Sequence, residues 1–456
     1  MSRRTLSWFG IVRLGLVQTS LGAIVVLTTS TMNRVMVVEL ALPAMLPGAL
    51  VALHYAMQVF RPRLGYGSDV GGRRTPWIVG GMAILGAGGI AAAVATAWME
   101  TNLTAGVTLA VAAFVLIGIG VGATGTTLLV LLAKQVDPGR RAAAATTVWV
   151  MMIAGFIVTT LIAGHLLDPF STSRLVAVTI AVAVTAFLVA WLSIRNVEDP
   201  FAAEASPAPS AQHAAARPGF RAALQQVWGE TRARRFTVFV FFSMLAYSAQ
   251  DLILEPFAGT VFGYSPGEST RLAGVQQSGV LLGMLLVAVA GSTHSGARPA
   301  FMRNWTIGGC LASALALTGL AAAGMAGSGW PLRGTVFALG VTNGAYAVAA
   351  IGSMMSLAST GAESREGIRM GLWGAAQAIA FGMGGFLGTV AVDAARYLLE
   401  SPAAAYSVVF ALEATLFLVA AALAARLGEV DRVPPKPLAH GLSSAGGWQA
   451  ARLTRG

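Results

Sequence analysis

Twelve apolar runs follow one another along the chain, near 11–32, 42–60, 76–98, 106–133, 142–166, 173–194, 236–258, 268–290, 299–325, 331–358, 367–391 and 403–426. A run of about 20 apolar residues is long enough to cross a bilayer as a helix. Inside lipid the backbone must satisfy its own hydrogen bonds, which leaves only helices or a closed barrel. These runs are continuous and do not alternate with polar residues, which excludes the barrel. Composition agrees. Charged residues are 11% of the chain, against about 25% in a soluble protein. Glycine at 54 positions suits helices that pack closely within a membrane. The reading is an all-α membrane protein with twelve transmembrane helices.

Charge placement orients the spans. The formal charge of +11 would fit a nucleic-acid partner, but 25 of the 30 basic residues fall on one side once Met1 is set in the cytoplasm. Such a bias places both termini in the cytoplasm. The basic excess then serves orientation and contact with membrane lipid, not nucleic acid. Arg3 and Arg4 before an apolar run look like a signal peptide. The run is too long and Arg13 interrupts its start, so an uncleaved first span is expected. A single cysteine, Cys310, excludes an internal disulfide and a multi-thiolate metal site. A nucleotide loop of the G-x-x-x-x-G-K-[ST] type is missing, which argues against an ATP-driven pump.

The chain divides at 202–216, AAEASPAPSAQHAAA, whose small, polar, Pro-containing composition reads as a linker. Beyond it Phe220, Leu224, Val227 and Trp228 lie at helical spacing among arginines, the pattern of a helix lying on the inner membrane surface. An offset of 224 residues brings Arg74 onto Arg298, Gly120 onto Gly344, Arg141 onto Arg365, Trp149 onto Trp373 and Gly164 onto Gly388. One offset shared by separate elements implies a duplicated six-helix unit around a midplane cavity. The expected organisation is an N-terminal half at 1–195, a cytoplasmic linker at 196–235, a C-terminal half at 236–426 and a cytoplasmic tail at 427–456.

Gly65 to Arg74 reads GYGSDVGGRR. It resembles the G-x-x-x-D-x-x-G-R-R loop between the second and third helices of the major facilitator superfamily. The resemblance implies that fold, with two pseudo-symmetric halves and a cytoplasmic latch built on Gly65, Asp69, Gly72, Arg73 and Arg74. Gly65 and Gly72 permit tight turns, Asp69 can cap a helix start or pair with an arginine, and Arg73 and Arg74 would hold the loop at the anionic leaflet. Val70 stands where the pattern has an arginine, and the second-half copy, GSTHSGAR at 291–298, has lost its acid. Helix 4 carries GIGVGATG, and helix 5 carries GFIVTTLIAG in place of the Gly-Pro antiporter motif. These departures weaken the reading of an ordinary transporter.

Charge within a span is expensive and usually functional. Arg34 and Glu39 end the first span, Asp251 and Glu255 lie in the seventh, and Glu413 lies near the middle of the twelfth. An Arg34–Glu39 or Arg34–Glu255 pair is one expectation, since helix ends carry charge cheaply. Glu413 is expected to face lipid or a partner, because the twelfth helix is peripheral in this fold. His54 sits in the second span beside Tyr55 and four residues before Gln58. A neutral imidazole there can ligate the magnesium of a chlorin or simply hydrogen-bond a neighbouring helix. No His/Asp/Ser cluster or paired ligand set points to catalysis, so no enzymatic role is expected.

Three longer stretches narrow the resemblance: TMNRVMVVEL at 31–40, SAQDLILEPFAGTVFGYSPGEST at 248–270 and RMGLWGAAQAIAFGMGGFLG at 369–388. They resemble the PucC/LhaA family, the antenna-assembly and bacteriochlorophyll-delivery branch of the major facilitator fold. The short loop GYGSDVGGRRTPW points to the sister branch linked with bacteriochlorophyll synthesis. The resemblance implies a multi-pass protein of the bacterial inner or intracytoplasmic photosynthetic membrane that helps assemble light-harvesting complexes. Its implied cofactor or cargo is bacteriochlorophyll. Its implied partners are antenna α/β polypeptides, with a reaction-centre–antenna complex or bacteriochlorophyll synthase beside them. By matching motif positions, Arg34, Glu39, Gln250, Asp251, Glu255, Trp373 and Gln377 are the expected functional residues, and His54, Trp149, Trp373 and Gln377 the expected pigment contacts. The competing reading is a proton-coupled secondary transporter of a small solute or tetrapyrrole, using Asp251 or Glu255.

Overall fold

A computed structural model describes residues 6–60, 73–137, 140–198, 225, 228–293, 299–359 and 366–427. Gly65, Asp69, Gly72, the linker at 202–216, residues 294–298 and the tail from 428 lie outside the described residues. Eleven helices are long and apolar enough to cross a membrane, and Met45–Met57 is a shorter apolar helix. In chain order they are α1 (Trp8–Glu39), α2 (Met45–Met57), α3 (Thr75–Met99), α4 (Leu103–Gln135), α5 (Arg141–Leu166) and α6 (Thr172–Ile194). Then follow α7 (Thr231–Ala249 and Leu254–Phe262), α8 (Pro266–Thr293), α9 (Pro299–Ala326), α10 (Leu332–Ser359), α11 (Glu366–Leu399) and α12 (Pro402–Leu427). Arg234 and Arg235, expected in the surface connector, belong to the first turns of α7.

Two large cores organise the bundle. One is built from residues between Ile11 and Ile194 with Leu252 added, the other from residues between Phe236 and Ala424. The halves meet along two helix pairs, α2 with α11 and α5 with α8. Close approach within the second half depends on glycine. Gly279 and Gly283 on α8 face Gly340 and Gly344 on α10, and a Cβ added at Gly283 or Gly344 would stand 2.0 or 2.1 Å from a backbone oxygen of the opposite helix. This is the small-xxx-small crossing that lets membrane helices touch backbone to backbone.

Three helices carry local irregularities that position the site. In α1 the amides of Met32 and Leu40 bond to the carbonyls of Leu27 and Val35, five residues back. These are two π-turns, a feature frequent at functional sites. In α7 a 3₁₀ turn at Gln250–Leu252 interrupts the helix. Pro256 follows and has no N–H to give to the carbonyl of Leu252 four residues earlier. α2 begins beside Ala41, a non-glycine residue at φ 51°, and its first amides look outward for partners.

Candidate functional site

The irregular turns of α1 and α7 meet at the ends that the charge bias assigns to the outer side, and polar groups from both halves interlock there. Asn33 donates from Nδ2 to the Leu252 carbonyl at 2.6 Å, supplying the bond that Pro256 cannot make. Arg34 is only 2% exposed. Its guanidinium donates to the carboxylate of Glu39 and to the Tyr264 carbonyl at 2.5 Å. Gly259 leaves it room, since an added Cβ there would stand 3.0 Å from Nη2. Ser30 donates to Glu255 across the halves, and the hydroxyls of Thr31 and Thr270 meet at 3.0 Å. Glu255 is buried. Of the two expected ion pairs, Arg34–Glu39 is formed, while Glu255 takes the Ser30 hydroxyl.

Two further links lie around this seam. Asp168 at the end of α5 forms an ion pair with Arg271 of α8 at 3.1 Å and accepts from the Ser265 hydroxyl at 2.8 Å. Arg271 also donates to the Gly164 carbonyl at 2.9 Å. Asp393 of α11 accepts from the amides of Ala44 and Met45 at 3.0 and 2.7 Å, capping the start of α2 from the opposite half. Toward the middle of the spans the contact turns apolar, with Ile153 of α5 against Val280 and Met284 of α8 and Tyr55 of α2 beside Phe381 of α11.

Several expected site residues lie elsewhere. Glu413 does not face lipid or a partner. It is 2% exposed and is turned into the second half, where neither carboxyl oxygen has a hydrogen-bond partner. Arg74 does not hold its loop at the lipid surface either. Its backbone amide and that of Thr75 donate to Glu198 at 2.8 and 2.9 Å, and the Thr75 hydroxyl adds a bond at 3.0 Å. Its guanidinium turns inward toward the same carboxylate at 3.8 Å, while Arg73 is exposed. Glu198 therefore fixes the start of α3, where an anionic group meets free amides and the positive end of a helix.

The four expected pigment contacts are dispersed. Trp149 is 39% exposed on the lateral face of α5. Trp373 is 1% exposed and packs edge-on to Phe236, ring centroids 4.7 Å apart. Gln377, one turn further along α11, is half-buried. His54 is buried, with Nε2 3.2 Å from Gln58 Nε2 one turn along the same helix. Gln250, at the α7 break, is fully buried and its carboxamide has no partner at either end. Among the described residues no group of three or more His, Cys, Asp or Glu could hold a metal ion.

Asn33, Ser30, Asp168, Arg271, Asp393 and Glu198 escaped the sequence reading. Only Asn33 had a usable signal: Pro256 announces an orphaned carbonyl at Leu252 that needs a donor from elsewhere.

The chain matches the family described as PUCC protein over residues 31–431. It is 50% identical over 424 residues to the "Bacteriochlorophyll synthase 44.5 kDa chain" of Rhodobacter capsulatus, covering 92% of this chain and 95% of the relative. It is 28% identical over 436 residues to "Protein PucC" of the same organism, covering 91% and 92%. Among solved structures it resembles the nucleoside transporter NupG, with TM-score 0.67 and 14% identity over 92% of this chain and 99% of the transporter. It also resembles a D-xylose-proton symporter, with TM-score 0.70 and 15% identity over 89% and 96%. These two likenesses establish the major facilitator fold and carry no substrate. The expectation of no enzymatic role is corrected by the relative of 50% identity, which is named as a chain of bacteriochlorophyll synthase.

Proposed function

The chain belongs to the PUCC family, and from that premise we propose that this multi-pass membrane protein assembles light-harvesting complexes, working beside a bacteriochlorophyll synthase. In this reading it receives newly made bacteriochlorophyll from the synthase and brings it together with antenna α/β polypeptides. The observation that carries the reading is full-length kinship with a chain named for bacteriochlorophyll synthase. Kinship with proteins named PucC supports the antenna side. The polar seam supports a protein whose halves are held together at their outer ends. Arg34, Glu255, Asp168 and Asp393 tie one half to the other there, so the face offered to partners is a single joined surface.

Purification of the full-length protein from a photosynthetic host in mild detergent tests the proposal. Absorbance and mass spectrometry are expected to find bacteriochlorophyll together with antenna polypeptides or synthase subunits. Recovery of a pigment-free, partner-free protein would overturn it. At the seam, Glu255→Gln is expected to lower antenna absorbance while the protein remains in the membrane at normal abundance. Unchanged antenna absorbance in that strain would count against Glu255 as a functional residue.

A further inference from the structure

Glycines on α10 fall into two sets. Gly340 and Gly344 face α8, where the backbone crossing requires them. Gly334 faces elsewhere: a Cβ added there meets nothing within 4 Å, and the same holds for Gly308 on α9. The fold gives these two glycines no packing reason. Both line a cleft between α9 and α10 on the lateral face of the second half. Its outer part is a cavity of about 540 Å³, and its inner part is one of about 400 Å³.

Small residues line both walls at heptad spacing. On α9 they are Gly308, Ala312, Gly319 and Ala322, with Leu315 standing 73% exposed among them. On α10 Gly334 and Ala338 lie opposite. Steps of three and four keep such residues on one stripe, and small side chains let another helix approach backbone to backbone. Trp305 bounds the inner end of the cleft and Trp330 the outer end, where its indole N–H donates to the Thr335 hydroxyl at 2.9 Å. From Trp305 to Ala322 the line rises about 26 Å, at about 1.5 Å per residue, against about 30 Å for the hydrocarbon core. A lipid chain belongs to one leaflet and covers about half of that core. A single transmembrane helix covers all of it.

Charge selects among such helices. No charged residue lines either cavity. Arg303 precedes Asn304 at the inner mouth, on the side that holds 25 of the 30 basic residues. An ordinary single-span polypeptide carries its own cations on the cytoplasmic side, where they would meet like charge. An acidic cytoplasmic flank meets opposite charge instead.

We infer that the α9–α10 cleft is the docking site for a single-span polypeptide with an acidic cytoplasmic flank. The inference rests on the assembly reading and gives its polypeptide partner a place on the molecule. The small residues admit the helix, Leu315 enters between its side chains, and Arg303 takes its acidic flank.

Photocrosslinking in membranes of a photosynthetic host tests the site. Benzoylphenylalanine is placed in the full-length protein at Gly308, at Gly334 or, as a control, at Ile162, which is 54% exposed on α5. Mass spectrometry is expected to identify a single-span polypeptide with an acidic cytoplasmic flank at the two cleft positions and not at Ile162. Adducts at the cleft to lipid alone, to a second copy of this chain or to a helix with a basic flank would overturn the inference. Capture of an acidic-flanked polypeptide at Ile162 only would overturn the cleft and leave the assembly reading standing. Capture of no polypeptide at any position would overturn both. Gly308→Leu combined with Gly334→Leu fills the cleft where the fold leaves room. Membrane yield should stay at the wild-type level while the co-purified polypeptide is lost, and its retention would overturn the inference.

Discussion

Pro256 leaves the Leu252 carbonyl without its helical donor, and Asn33 provides one from the other half at 2.6 Å. A buried carbonyl stripped of its partner costs about 1–3 kcal/mol. Asn33→Ala is therefore expected to lower the thermal unfolding midpoint in detergent by an amount in that range. Pro256→Ala should recover part of the loss, because alanine restores an N–H to the same carbonyl; an additive double mutant would refute the link. Arg34 follows the same logic with a charge. Removing one member of a buried pair costs about 3–5 kcal/mol, less here because Glu39 is 35% exposed. Arg34→Lys should not restore stability, since an ammonium lacks the planar fork that reaches both Glu39 and the Tyr264 carbonyl. A lysine variant with wild-type unfolding would count against that geometry. Arg34, Glu39 and Glu255 were legible in the sequence because charge at membrane depth is costly and stands out. Asp168, Arg271 and Asp393 sit at helix ends, where charge is cheap and ordinary.

Helices in this protein are joined by features that periodicity does not record. Asp393 caps α2 from α11, and capping is worth about 0.5–2 kcal/mol. Asp393→Ala should cost that much in thermal stability, and Asp393→Asn less, because an amide oxygen still accepts from the two amides. The α8–α10 crossing is stricter. A side chain at Gly344 would meet the Val280 carbonyl, and overpacking of this kind typically costs about 1–3 kcal/mol. Gly344→Val is expected to reduce the yield of folded, monodisperse protein, whereas Gly334→Val, where nothing lies within 4 Å of an added Cβ, should leave it unchanged. Equal yields from both would sink the crossing argument. Eleven of the twelve expected spans appear near their expected places among the described residues, whereas the run at 42–60 gives only the 13-residue helix Met45–Met57; the π-turns of α1 were not legible, since LTTST and VMVVE read as ordinary apolar helix.

Across the whole molecule the outer ends of the halves are tied by polar bonds, while the mid-span contacts are apolar. Cysteines at Asp168 and Ser265, whose side chains lie 2.8 Å apart, should therefore cross-link under mild oxidation in membranes. Cys310 is buried and should not compete. Failure to cross-link would show that the outer ends part in the membrane. The all-helical, many-span class, the family and the charge asymmetry were legible in the sequence alone, because transfer from water to lipid is a local property of each stretch. Azimuth was not. A span is apolar toward lipid and toward its neighbours alike, so nothing in α12 said that Glu413 is buried within the second half. Nor did anything in the loop before α3 say that Arg74 turns to Glu198, or anything in α5 and α11 that Trp149 looks outward while its repeat partner Trp373 is buried. Only the tertiary structure decided these, because the partner of a buried polar group is brought to it by a segment remote in the chain.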